Sequence, residues 1–112
     1  VAAFNNIEYA VRDEILHISL PGKDFVMEQA HEMVDLVFEK MDDGPKDIVL
    51  DLSGVEYINS SGISVVIRMN LEKNVRLVNP SPMVSDILEL TGVLPFVPRF
   101  DSVEEAVASF AG

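Results

Sequence analysis

Residues Ile48 to Met69 read IVLDLSGVEYINSSGISVVIRM, and no other stretch constrains the architecture as tightly. Three consecutive apolar residues, Ile48, Val49 and Leu50, have the pattern of a strand covered on both faces. After Val55-Glu56-Tyr57-Ile58 come Asn59, Ser60, Ser61 and Gly62, and then an apolar run whose spacing predicts a helix over roughly 61–72. A doubly covered strand that leads into a helix belongs to an alternating β/α architecture.

The flanking segments extend the alternation. FNNIEYAVRD and EILHISL alternate as two strands joined at Arg12-Asp13-Glu14, with Ile15, His17 and Ser19 on one face and Leu16, Ile18 and Leu20 on the other. Pro21-Gly22 ends the pair. From Asp24 to Met41 the stripe Ala30, Met33, Val34, Val37, Phe38, Met41 is helical, with Asp24 as its expected N-cap and DDGP at 42–45 as its stop. Downstream, NVRLVNP reads as another buried strand. Ser81-Pro82 starts a helix that Gly92 ends. A short extended piece near 96–100 precedes a last helix with a capping box of Ser102 and Glu105 and an apolar face of Val103, Ala106, Val107 and Phe110. The expected order is ββαβαβαβα: one α/β domain over residues 1–112, with a mixed sheet of about four to five strands and four helices.

Composition narrows the function. The 112 residues are 48% hydrophobic and 24% charged, a balance that folds. A net charge of −11 repels phosphate backbones and anionic lipid surfaces, so neither nucleic acid nor membrane is an expected partner. The chain has no cysteine, which excludes disulfides and thiolate metal sites and is compatible with the cytosol. No apolar run reaches the roughly 20 residues of a membrane span, and the first residues do not read as a signal peptide. The carboxylates Asp35, Glu39, Asp42 and Asp43 lack metal-loop spacing and read as a solvated face; no metal or cofactor is expected.

The serine pair has two readings. Serine is a favoured N-cap, and glycine beside it eases the turn. Alternatively, a hydroxyl at a helix start is a site for phosphorylation, because free amides and the positive helix end tolerate the added charge of about −1.5 to −2, whereas a docked partner does not. Nucleophilic catalysis fits poorly: NSSG is not a G-x-S-x-G elbow, and His17 and His31 belong to no catalytic motif. The chain is not expected to be an enzyme.

IVLDLSGVEYINSSGISVVIRM resembles the central segment of the bacterial stand-alone STAS domains, the anti-sigma factor antagonists, in which an apolar strand leads through Asp-Ser-Ser/Thr-Gly into a helix. ILELTGVLPFVPRFDSVEEAVASF is similar to the end of the same family. The resemblance implies a non-enzymatic, cytoplasmic signalling domain, monomeric when free. Unphosphorylated, such a domain binds an anti-sigma factor that is also a serine kinase, which frees a sigma factor for transcription; phosphorylation releases it and a phosphatase resets it. By position the acceptor is Ser60, with Ser61 as the alternative. The chain departs from the family at Asn59, where Asp is usual, and at Asp24, which follows Gly22 by two positions rather than three.

On the helix after the serines, Ile63, Val66, Ile67 and Leu71 are expected in the core. Val65 and Met69 either pack under a neighbouring helix or, beside Arg68, flank Ser60 as an exposed apolar contact with Asp24 and Glu56 at its rim. Two further readings remain: an interaction scaffold that is not phosphorylated, which Asn59 favours, and a nucleotide- or lipid-binding STAS domain, against which stands the lack of a glycine-rich phosphate loop.

Overall fold

The computed structural model describes residues 2–3 and 6–111; Phe4 and Asn5, assigned above to the first long strand, lie outside the described residues. In chain order the elements are β1 (Ala2–Ala3), β2 (Glu8–Arg12), β3 (Ile15–Ser19), β4 (Asp24–Phe25), α1 (Met27–Val34), β5 (Asp47–Asp51), β6 (Tyr57–Ile58), α2 (Ser60–Glu72), β7 (Asn74–Val78), α3 (Pro82–Leu90), β8 (Arg99–Phe100) and α4 (Val103–Ala111). The main sheet runs β1-β2-β3-β5-β7-β8. Its β1–β2 and β2–β3 pairs are antiparallel and the remaining three are parallel, so the sheet is mixed, as expected. Beyond the expected strands it contains the two-residue β1, and β4 and β6 form a separate parallel pair that the sequence did not reveal.

The doubly covered strands follow from the alternation of side chains across a pleat. Leu16 and Ile18 of β3, Ile48 and Leu50 of β5, and Val75 and Leu77 of β7 join one core cluster with α1, α2 and α3. Their neighbours Ile15, Val49 and Val78 join Ala106 of α4 in a second, smaller one, against which Phe100, Val103, Val107 and Phe110 pack. The β2–β3 hairpin turns on Asp13 and Glu14, both in the left-handed region at φ 53° and 63°. That geometry suits the right-handed twist of the strands.

Helix starts follow the chemistry read from the chain. Ser81 caps α3 by accepting from the Val84 amide at 3.3 Å, with Pro82 in the first turn, and Gly92 adopts φ 79° beyond its end. Ser102 accepts from the Glu105 amide at 3.2 Å at the head of α4. The first helix departs from expectation twice. It starts at Met27, because Asp24 is drawn into β4; the side chain of Gln29 instead accepts from the Val26 amide at 2.9 Å. Its last turns, Asp35–Lys40, are π-helical, closed by the Met41 amide on the Leu36 carbonyl at 2.8 Å. No helix among the described residues is long and apolar enough to cross a membrane.

Candidate functional site

The β4–β6 pair carries the chain to the head of α2. The Lys23 carbonyl accepts from the amides of Glu56 (2.7 Å) and Tyr57 (3.1 Å), and the Phe25 carbonyl accepts from the Asn59 amide at 3.4 Å. The backbone of β4 is thereby laid across the start of the helix. Gly62 is what permits it. A Cβ at that position would overlap the Phe25 carbonyl oxygen and stand 2.9 Å from Ile58 Cγ1 and 3.1 Å from Phe25 Cδ1.

Asn59, not a serine, is the N-cap. Its Oδ1 accepts from the Ser61 amide at 3.0 Å and the Gly62 amide at 3.4 Å. Both serines therefore lie inside the first turn with no capping duty. Ser60 is exposed, and its hydroxyl makes no hydrogen bond among the described residues; Ser61 is half-buried and lines a groove between α1 and α2. That groove, of about 280 Å³, also touches Met27, His31, Ser64 and Arg68. No acidic residue lies in the first turn of α2, so the positive end of the helix is left without a neighbouring anion on its own element.

Around this helix start, Asp24 and Glu56 are exposed as expected, and Glu56 forms a surface pair with Lys23 at 3.2 Å. Val65 and Met69, by contrast, are buried, at 3% and 0% exposure. Of their two readings, packing inside the fold is the one their burial gives, with Val65 also among the residues that line the α1–α2 groove. Arg68 is exposed and lies over the Phe38 ring, 4.3 Å from its centre. Ile67 and Leu71, expected in the core, are instead 44% and 80% exposed. The phase of α2 was misread because both of its stripes are apolar. The signal that would have corrected it is Gly62: the one residue without a side chain marks the face of closest approach, and Val65, Val66 and Met69 follow it at helical spacing. The exposed apolar groups near the helix start are Met27 and Tyr57, which sequence reasoning did not single out.

The pattern of the STAS domain matches residues 6–106, nearly the whole chain. The chain belongs to the STAS domain family. The STAS domain described here is 30% identical, over 93% of its own length and 96% of the relative's, to a Thermotoga neapolitana protein named "Putative anti-sigma factor antagonist TM1081 homolog". Its fold is similar to the crystal structure of the corresponding Thermotoga maritima protein, TM1081, with a TM-score of 0.81 at 26% identity, covering 95% of each chain. It also shares its fold with the Bacillus cell fate determinant SpoIIAA in the phosphorylated form, with a TM-score of 0.72 at 18% identity, covering 93% of this chain and 98% of that one. Anti-sigma factor antagonists, the class for which these relatives are named, are a non-enzymatic family.

Proposed function

We propose that this STAS domain is an anti-sigma factor antagonist in which Ser60 carries the phosphoryl group that switches binding off. The observation that carries the reading is the division of labour at the head of α2. Asn59 takes the capping role, and the exposed Ser60 hydroxyl has no competing bond among the described residues. A kinase can reach such a hydroxyl without unravelling the helix, and a first turn with no acidic residue of its own favours the added charge. Ser61 is the weaker acceptor because it is half-buried in the α1–α2 groove. The unphosphorylated domain binds an anti-sigma factor with serine kinase activity, in the cytoplasm, and a phosphatase restores it.

The contact surface in this reading is centred on Ser60. Exposed Met27 and Tyr57 supply the apolar area that the buried Val65 and Met69 do not. Asp24 and Glu56 attract basic groups at the rim. The identity of about 30% to a relative named as an antagonist supports the reading. Asn59 favours a second one, an unmodified scaffold, because it removes the negative charge that the family usually carries beside the acceptor.

The test is phosphosite mapping after incubation with ATP and a lysate of the host, with Ser60→Ala and Ser61→Ala in parallel. Phosphate on Ser60, absent only from the first variant, is the expected result. Phosphate on Ser61 overturns the choice of acceptor. No phosphate, in a lysate that phosphorylates other proteins, gives the scaffold reading.

A further inference from the structure

In the register of β3, β5 and β7, His17, Val49 and Arg76 stand side by side. Partnered residues of adjacent strands point to the same face, and Val49 belongs to the cluster under α4. A histidine and an arginine therefore flank the buried Val49 beneath this helix, and the two sides of α4 treat them differently.

On the β7 side the helix is pinned. Arg76 Nε donates to Ser109 Oγ at 3.0 Å, and the same hydroxyl donates to the Ala106 carbonyl at 2.6 Å. The Arg76 guanidinium also lies 4.5 Å from the centre of the Phe110 ring. One side chain thus holds the end of α4 through a charge-assisted hydrogen bond and a ring contact at once.

On the hairpin side nothing comparable is made. A concavity of about 430 Å³ separates α4 from the β2–β3 turn, with Arg12, Asp13 and His17 on one wall and Val103, Glu104 and Val107 on the other. His17 is half-buried there, and its imidazole makes no hydrogen bond among the described residues. The charges around it come from three elements and the turn. From β2 they are Glu8 and Arg12, on either side of its strand partner Ala10. Asp13 of the turn and Glu104 of α4 are exposed to water. From β5 they are Asp47 and Asp51, both engaged: Asp47 accepts from Asn74 Nδ2 and Asp51 from the Ser53 amide, each at 2.9 Å. Arg76 is two strands away, about 10 Å.

Burial, and after it Arg12, lowers the pKa of His17 from 6.5, with Asp13 opposing. Undocking α4 removes the helix's share of that burial, so the open form takes up a proton more readily than the closed one, and acid favours opening. We infer that α4 is a latched flap: Arg76 holds it shut on one side, and proton uptake by His17 on the other lets it open in a mildly acidic medium. The opened form presents Ile15, Val49 and Val78 to water, while the three-helix side of the sheet stays packed. The device is separate from Ser60, which lies on that other side.

The test is amide exchange on the whole domain at about pH 7.5 and about pH 5.5, with each rate taken against unstructured peptide at the same pH. Protection of Val103–Ala111 is expected to fall at least about threefold at the lower pH in the wild type, and to change by less than about 1.5-fold in His17→Gln. Arg76→Gln should lower that protection at least about threefold at both pH values and keep the acid response. Phe110→Leu, which keeps an apolar side chain and removes the ring, should act in the same direction. Wild-type-like spectra for β5 and β7 verify the fold of each variant. Unchanged α4 protection in acid would overturn the inference, and if β5 alone lost protection the proton would be acting through global unfolding only. An acid response retained in His17→Gln would overturn the role of His17. Arg76→Gln and Phe110→Leu proteins with α4 as protected as in the wild type would overturn the latch.

Discussion

Gly62→Ala tests whether the close crossing of β4 over α2 sets the position of the site. The added Cβ would overlap a backbone carbonyl, that of Phe25, and would stand 2.9 Å from Ile58 Cγ1. A flexible side chain can move aside, but a strand backbone pinned by the Asn59 amide cannot do so without losing that bond. Overpacking of this kind costs about 1–3 kcal/mol. Against it stands the better helix propensity of alanine, about 1 kcal/mol. The net expectation is a loss of up to about 2 kcal/mol, a fall in Tm of up to about 8 °C for a domain of this size. Urea unfolding followed by circular dichroism measures it, with an unchanged m-value showing that the denatured state is the same. Gly22→Ala is the control: nothing lies within 4 Å of its would-be Cβ. It should be neutral or stabilising by up to about 1 kcal/mol. A Gly62→Ala protein stabilised by the full helix-propensity gain of about 1 kcal/mol would refute the reasoning and with it the claim that Gly62 marks the face of closest approach.

Three further outcomes follow from the same geometry. Asn59→Ala removes the acceptor of two first-turn amides and should cost about 1 kcal/mol in urea unfolding, whereas Asn59→Asp should keep the cap and gain from the helix end. Met69→Ala, at a fully buried site, should cost about 2–5 kcal/mol, while Leu71→Ala, two residues on and exposed, should cost under about 0.5 kcal/mol; comparable losses would mean that α2 is rotated. His17 has a pKa lowered from its ordinary 6.5 by burial first and then by Arg12, with Asp13 opposing. The unfolded chain therefore takes up this proton first, so the contribution is whole above 6.5 and lost as pH falls from there through the folded-state pKa. His17→Gln should flatten that part of the urea-midpoint profile.

Most of the architecture was legible because it rests on strong local signals. Ile48-Val49-Leu50 announced a strand buried on both faces, and Ser81-Pro82, Gly92 and Ser102 marked helix ends that the structure places where expected. The β4–β6 pair was not legible, since two-residue strands have no periodicity to detect and depend on a tertiary encounter. Asp24 was misassigned for the same reason: a good capping residue was claimed by that pairing. At the site, the position of the serines at a helix start could be read, but the identity of the cap could not. Asn and Ser are nearly equal in that role, and only the hydrogen bonds show that Asn59 fills it. On α2 the exposed polar stripe of Ser60, Ser64 and Arg68 marks the outer face, but Ile67 and Leu71 widen that face with apolar side chains, so hydrophobic spacing alone points the core to the wrong side.

The two clusters on either side of the sheet are unequal, and this has a consequence for how the molecule opens. Three helices share the larger one, whereas Ile15, Val49 and Val78 are covered by a single helix, α4, with Phe100 of β8 beside it. Undocking α4 forfeits only that small cluster and leaves the three-helix side intact, so it requires a fraction of the free energy of global unfolding. In hydrogen exchange, the amides of Val103–Ala111 should form an early-opening cooperative unit, while those of β5 and β7 exchange last. The head of α2 sits on the three-helix side, so in the switch proposed above the phosphoryl group would be carried by a part of the fold that stays closed when α4 opens.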